Sequence, residues 1–293
     1  MSTDPSLRSD PPNQTARRRK MTVRRQLVRM GVLLAGTYIV GLIVAVTGCI
    51  NRVMYFPPSP SYSNGDGTLF FPLTTADGTK ISAMHLLAKN PADRYTILYS
   101  HGNGEDMGEM EPYYCMFQSA GYNVLAYDYH GYGTSEGSPS EQATYADIDA
   151  AYDYLVRSGV EPGRILLLGR SIGSGPATDL ASRKPVGGLI LESGFTSAFR
   201  VATHWPIFPG DRYKNLEKLP GVHCPVLFIH GRDDGLIRLW HAEKNYAAAH
   251  SPKQHYWVDN AGHNDVMLVA GERYFEVLAE FVKRIEKRAT SDK

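Results

Sequence analysis

Apolar residues in this chain gather in short runs bounded by Gly, Pro, Asn and Asp, and between those runs they recur every three or four positions. The short runs at 97–100, 123–127, 165–168, 188–191, 226–230 and 254–258 predict strands buried on both faces. The longer stretches predict helices at 107–120, within 145–156, after Ser171, at 240–249 and from near Asn264. The last of these sets Tyr274, Leu278, Phe281 and Ile285 on one face, the spacing of a helix packed on a sheet. Strand and helix alternate, which predicts a mostly parallel central sheet with helices on both faces. Ahead of them, the runs at 69–73 and 80–87, split by Asp77-Gly78, predict an antiparallel edge hairpin.

The N-terminal pattern is different. From residue 30 to residue 50 no charged side chain occurs, while Arg17, Arg18, Arg19, Lys20, Arg24, Arg25 and Arg29 crowd the stretch before it. That apolar length is enough to span a bilayer, and basic residues on one side only predict a signal anchor or signal segment with the Arg cluster cytoplasmic. The body is then expected on the extracytoplasmic side, anchored to the membrane. Val46-Thr47-Gly48-Cys49 resembles a bacterial lipoprotein processing box, with Cys49 as the residue that takes lipid; a membrane-embedded thiol is the other reading. The expected layout is a disordered basic tail over 1–29, a membrane segment over 30–50, a Pro-, Ser- and Gly-rich linker over 51–68 and a folded domain over 69–288.

Charge sharpens this picture. The formal net charge is +1, yet the residues from 50 onward carry 23 Lys and Arg against 28 Asp and Glu. A mildly acidic body without a basic stripe excludes nucleic acid as a partner. With 293 residues, 43% hydrophobic and 21% charged, the chain suffices for one large domain or two small ones. Besides Cys49 only Cys115 and Cys224 occur, too few for a disulfide framework or a zinc cluster. The histidines His85, His130, His204, His223, His241, His250 and His255 show no ligand spacing, so no metal is implied.

Candidate chemistry collects where predicted strands end. The run 165–168 leads directly into Gly169-Arg170-Ser171-Ile172-Gly173-Ser174-Gly175. Gly169 to Gly173 fits G-x-S-x-G, a strand-to-helix turn whose glycines leave room for a strained serine, while the same letters also fit a G-x-x-x-G-x-G nucleotide loop. After 97–100 comes His101-Gly102-Asn103-Gly104; after 226–229 comes His230-Gly231-Arg232-Asp233-Asp234; after 256–258 comes Asp259-Asn260-Ala261-Gly262-His263. A serine needs a histidine to take its proton and a carboxylate to hold that histidine's tautomer. Ser171, then an aspartate of the 233–234 pair, then His263 supply both in an order known for such sites.

From about residue 69 onward the chain resembles the α/β-hydrolase superfamily. His101-Gly102-Asn103-Gly104, Asp128-Tyr129-His130-Gly131-Tyr132-Gly133, Gly169 to Gly173, His230 to Asp234 and Ala261-Gly262-His263 carry the resemblance. The short interval between Gly194 and Leu219, together with the N-terminal segment, is similar to membrane-associated esterases and protein depalmitoylases. The resemblance implies an α/β-hydrolase fold with a short or absent lid. It implies Ser171 as nucleophile, His263 as general base and then acid, and Asp234 as the orienting carboxylate, with the N–H groups of Asn103 and Ile172 as the oxyanion hole. It implies a monomeric serine hydrolase, needing no cofactor, that cleaves an ester or thioester of a small-molecule or lipid acyl group. Phe195, Phe199, Trp205, Phe208 and Tyr213 are candidates for an apolar acyl pocket, with ordinary surface packing as the other reading.

Three alternatives are weighed. An amidase or peptidase would use the same triad. A dehydrogenase using Gly169, Gly173 and Gly175 against a pyrophosphate would place its glycines in the first βα unit, and two such units come before Gly169. A membrane-tethered binding protein on the same fold would not need an intact Ser171, Asp234 and His263 set.

Overall fold

The computed structural model describes residues 13–63, 69–91, 94–203 and 210–291, without the side chains of 13–20, 23 and 42–50. The chain divides into two compact units at Val53/Met54. The first holds the helix α1, Asn13–Met54, of 42 residues. Residues 13–29, expected to be disordered, are therefore helical, and residues 1–12 lie outside the described residues. No Gly or Pro falls between Asn13 and Gly31, and the segment is rich in good helix formers such as Arg, Gln, Leu and Met. Among the described residues, no helix is long and apolar enough to cross a membrane. The expected segment 30–50 is described at its side chains only as far as residue 41.

In the second unit the strands β1 (Phe70–Thr74), β2 (Lys80–Leu86), β3 (Thr96–Ser100), β4 (Asn123–Tyr127), β5 (Ile165–Arg170), β6 (Gly188–Glu192), β7 (Val226–Gly231) and β8 (Lys253–Val258) form one sheet. Its order is β1-β2-β4-β3-β5-β6-β7-β8. From β4 through β3 to β8 every pairing is parallel, and β1 and β2 add an antiparallel edge. The predicted edge hairpin is thus present, at the end of the sheet next to β4.

The helices are α2 (Met107–Ser119), α3 (Glu141–Arg157), α4 (Ser174–Arg183), α5 (Ala198–Thr203), α6 (Asn215–Lys218), α7 (Trp240–Ala248), α8 (Val266–Ala270) and α9 (Glu272–Ser291). Alternate strand residues face two separate cores, as the two-residue period of a strand requires. Leu98, Leu125, Tyr127, Leu167 and Leu189 pack with Ile148 and Leu155 of α3 and Leu180 of α4. Ile97, Tyr99, Val124, Leu166 and Ile190 pack with Phe117 of α2 and Tyr274, Leu278, Phe281 and Ile285 of α9. The single helix expected from Asn264 is broken: Gly271 sits at φ +55°, left-handed backbone that ends α8 and redirects the chain into α9.

The domain also starts earlier than residue 69. Residues 54–62, expected as linker, belong to the second unit, where Tyr55 is buried and Tyr62 stacks on Phe70 with ring centroids 4.0 Å apart. Tyr and Ser side chains on either side of the prolines supply the contacts that a Pro-, Ser- and Gly-rich composition does not advertise.

Candidate active site

The order of the sheet fixes where a site can form. From β3 the chain passes to β4 on one side and then returns to β5 on the other, so β3 and β5 are neighbours whose following loops diverge. Such a switch point opens a crevice beyond the carboxyl ends of the strands. The loop after β3 is His101-Gly102-Asn103-Gly104, and Ser171 follows β5 directly.

Ser171 has φ +52°, in the left-handed region that a residue with a side chain rarely adopts. The turn around it is closed by contact rather than by choice. A Cβ at Gly169 would strike the carbonyl of Gly173, and one at Gly173 would strike the carbonyl of Ser100 in the neighbouring strand. Both positions need glycine for the backbones to approach this closely, and the consequence is a serine pushed out of the sheet at the start of a helical segment.

The sequence-predicted residues meet there. Ser171 Oγ lies 3.1 Å from His263 Nε2, and His263 Nδ1 lies 2.7 Å from Asp234 Oδ2. An ionised carboxylate only accepts, so Nδ1 carries a proton, and in the neutral imidazole Nε2 is then the nitrogen that accepts from the Ser171 hydroxyl. Asp234 is fully buried at its side chain, whereas His263 and Ser171 are just open to solvent at 11% and 8%. Burial would raise the Asp234 carboxyl, but hydrogen bonds from His230 and His263 and from the Ile237 N–H hold it below the usual carboxylate range. His230, at the end of β7, sets its Nε2 between Asp234, at 3.3 Å, and the Ile237 carbonyl, at 2.6 Å. Asp233 takes no part in this chain of bonds; its N–H donates to the Ala261 carbonyl and so ties the aspartate loop to the histidine loop.

The loop bearing Asn103 lies across the crevice. The Gly102 N–H donates to Glu105 Oε2 at 2.8 Å. No acceptor among the described residues takes the Asn103 N–H, as a donor reserved for an incoming group requires. Ile172, in the helical turn after Ser171, is buried at 6% exposure.

Sequence reasoning missed Arg170. Its guanidinium pairs with Glu105 through Nη1, with Glu192 at 3.3 Å through Nε, and donates to Asn264 Oδ1 at 3.0 Å through Nη2. Tyr274 donates to the other oxygen of Glu192 at 2.6 Å. One buried cation thus ties the Asn103 loop, the histidine loop and the end of β6 to the residue before Ser171. The available signal was a charged residue inside a turn that follows a wholly apolar strand.

Of the five aromatic candidates for an acyl pocket, three lie among the described residues. Phe195 and Tyr213 are buried core residues at 4% and 0% exposure, and Phe199 is half-buried. Tyr213 fills the space over Gly175, where a Cβ would run into its ring. Trp205 and Phe208 lie outside the described residues.

Comparison with known proteins agrees with the fold. The sequence model of the serine aminopeptidase S33 family matches residues 91–209. Alpha/beta hydrolase domain-containing protein 17B of Xenopus tropicalis is 39% identical over 221 residues, 72% of this chain and 74% of the relative. The protein of the same name from Homo sapiens is 38% identical over 223 residues, 73% of this chain and 75% of the relative. An esterase of Pyrococcus furiosus superposes with a TM-score of 0.64 over 77% of this chain and 98% of its own, at 22% identity, a likeness of fold. At the identity and coverage of the 17B proteins, this chain belongs to the alpha/beta hydrolase domain-containing proteins of the α/β-hydrolase superfamily, and it is a hydrolase.

Proposed function

We propose that the protein is a serine hydrolase that cleaves carboxylic esters or thioesters through an acyl-Ser171 intermediate. One observation carries this: the bonded chain from Asp234 through His263 to a Ser171 held in strained, left-handed backbone. Ser171 Oγ attacks the substrate carbonyl while His263 Nε2 takes its proton. The carbonyl oxygen becomes an oxyanion between the N–H groups of Asn103 and Ile172, each such donor being worth about 2.7–4 kcal/mol in the transition state. Collapse of the adduct expels the alcohol or thiol, with His263 returning the proton to an alkoxide. Water, deprotonated by the same nitrogen, then releases the acid and regenerates Ser171. Asp234 stabilises the imidazolium formed in both halves without itself taking the proton.

An aminopeptidase, the activity in the S33 family's name, needs in addition a carboxylate for the substrate's ammonium group. Glu105 and Glu192 are both paired to Arg170, which favours a neutral ester or thioester. The interval 194–219 carries only the short α5 and α6 among the described residues, which suits substrates presented at a surface. We further propose that residues 30–50 attach the enzyme to a bilayer, by a spanning helix or through lipid on Cys49, with the catalytic unit on the extracytoplasmic face. The uncharged run and the one-sided Arg cluster support that placement.

The test is labelling of the full chain in detergent with a fluorophosphonate, comparing wild type, Ser171→Ala and His263→Ala. Hydrolysis of p-nitrophenyl esters from acetate to palmitate, of the matching thioesters, and of aminoacyl p-nitroanilides follows. Labelling of wild type alone with ester or thioester turnover is the expected result. A folded wild type that stays unlabelled, or one that turns over only anilides, overturns it.

A further inference from the structure

The loop that bears Asn103 has no strand partner of its own, so its position must be set by side-chain bonds. Those of Asn103 all leave the loop. Its Oδ1 accepts from the Phe56 N–H at 3.0 Å and from the Tyr132 hydroxyl at 2.6 Å, and its Nδ2 donates to the Met54 carbonyl at 2.7 Å. The Tyr132 hydroxyl also accepts from the Phe56 N–H at 3.2 Å, which closes a small network. An amide has two lone pairs and two donors. Three of these four sites at Asn103 are spent on residues 54–56 and on Tyr132.

The same segment is fastened twice more. The Ser61 N–H donates to Asp106 Oδ2 at 2.6 Å, and its hydroxyl donates to Asp106 Oδ1. Asp106 caps α2, accepting from the Glu109 N–H at 3.0 Å, so this fastening lies at the far end of the Asn103 loop. Tyr62 donates to Asp128 Oδ2 at 2.5 Å, and Asp128 in turn accepts from the Met107 N–H at 2.9 Å. The buried Tyr55 hydroxyl bonds that of Tyr213 at 2.6 Å, and Tyr213 bonds Thr144 at 2.9 Å. Residues 54–62 therefore bracket the loop between β3 and α2 from both ends, while Tyr55 reaches the buried base of the 194–219 interval.

We propose that residues 54–62 form a strap that belongs to the catalytic apparatus, with the Asn103 amide and the Tyr132 hydroxyl as positioning residues that set the Asn103 N–H for the oxyanion. This rests on the triad reading above, since a donor can be positioned only for an oxyanion that Ser171 creates. The requirement is geometric. An oxyanion donor must lie 2.7–3.1 Å from the oxygen, and a misplacement of about 1 Å costs roughly a hundredfold in rate. Because the Asn103 N–H is backbone, the substitutions that test it are those that free the loop.

The experiment uses the full chain, with active serines counted by fluorophosphonate titration. Asn103→Ala, Tyr132→Phe, their double variant and Phe56→Pro are compared with wild type on a p-nitrophenyl ester. Phe56→Pro removes the N–H bonded to Asn103 while altering a side chain that is already 60% exposed. Asn103→Ala is expected to lower kcat per titrated serine by about tenfold to a hundredfold, with KM little changed. Tyr132→Phe and Phe56→Pro are expected to lower it severalfold, and the double variant to be no worse than Asn103→Ala alone, because the groups act through one network. Affinity for an arylboronic acid, which mimics the tetrahedral adduct, should fall in proportion to kcat/KM. A merely structural strap would reduce the number of titratable serines and leave kcat per serine and boronate affinity at wild-type values, which overturns the proposal. So does a Phe56→Pro enzyme at full kcat beside an impaired Asn103→Ala. Wild type that fails to react with the fluorophosphonate instead removes the triad reading on which the strap depends.

Discussion

Two histidine–aspartate pairs in this molecule share the same first contact and differ in the second. His263 presents Nδ1 to Asp234 at 2.7 Å and Nε2 to the Ser171 hydroxyl at 3.1 Å. His130, in the loop after β4, presents Nδ1 to Asp147 at 2.5 Å, and its Nε2 lies 3.6 Å from the carboxylate of Asp77. The hydrogen bond that His130 donates to Asp147, against the opposing pull of burial, raises the His130 pKa, and the charges of Asp147 and Asp77 add to it. An imidazole between two carboxylates keeps its proton; one between a carboxylate and a hydroxyl has a lone pair to offer. The pairing of histidine with aspartate does not by itself make a base. What faces the second nitrogen does, and of these two pairs only the one at the switch-point crevice has a strained serine there.

The largest effects belong to that second partner. Ser171→Ala or His263→Ala is expected to lower kcat/KM by about a millionfold, leaving the residual rate that binding and oxyanion donors provide. Asp234→Asn is expected to cost about ten-thousandfold, because the amide favours the wrong imidazole tautomer while keeping the shape. Asp147→Asn, the equivalent change in the other pair, should leave kcat per titrated serine unchanged. Steady-state kinetics measures all four, per mole of folded protein for Ser171→Ala and His263→Ala and per fluorophosphonate-titrated serine for Asp234→Asn and Asp147→Asn. An Asp147→Asn enzyme as slow as Asp234→Asn would break the distinction between the pairs.

The difference between the pairs was legible in the sequence only on one side. The motif glycines around Ser171 and the chain order of Ser171, Asp234 and His263 announced that site, because close backbone approach restricts residue identity there. His130 and Asp147 lie 17 residues apart, in a loop and in α3, and no local pattern joins them. The strands were legible for a similar reason: runs such as 165–168 are apolar on every residue because both faces are covered. The strap over 54–62 was not, since its hold depends on backbone groups of Met54 and Phe56 and on isolated Ser61 and Tyr62 side chains rather than on a periodic apolar face. Arg170 was hidden in the same way, its three partners lying 65, 94 and 22 positions away in the chain.

Arg170 offers an intermediate case, a buried charge that touches the active loops without being proposed as a reacting group. Replacing it by Met would strand Glu105 and Glu192, whose side chains are 17% and 5% exposed, without their cation. Removing one member of a buried ion pair costs about 3–5 kcal/mol, to be read from chemical denaturation of the full chain. Because Glu105 holds the Gly102 N–H and Asn264 adjoins His263, a fall in kcat of about tenfold should accompany it. Unaltered kcat per titrated serine in a destabilised Arg170→Met protein would make Arg170 a stability element only, like His130.

The smallest effect is the one that isolates the second pair. A histidine whose folded pKa is raised binds its proton more tightly in the native state. The stability it contributes is therefore fully present below its unfolded value of about 6.5 and is lost as pH rises through the folded value. Burial also raises the Asp147 carboxyl, which gives a slope of the same sign at lower pH. The double variant His130→Gln/Asp147→Asn removes both titrations while keeping groups able to hydrogen bond. The stability advantage of wild type over this variant, followed by denaturation across neutral pH, should shrink as pH rises from about 6.5. An advantage that stays constant or grows would mean that His130 is neutral in the native state, and the two pairs would then differ only in the serine. With the expected outcome they differ in role as well. The pair with the raised histidine holds the loop between β4 and α3, and the other presents its second nitrogen to Ser171.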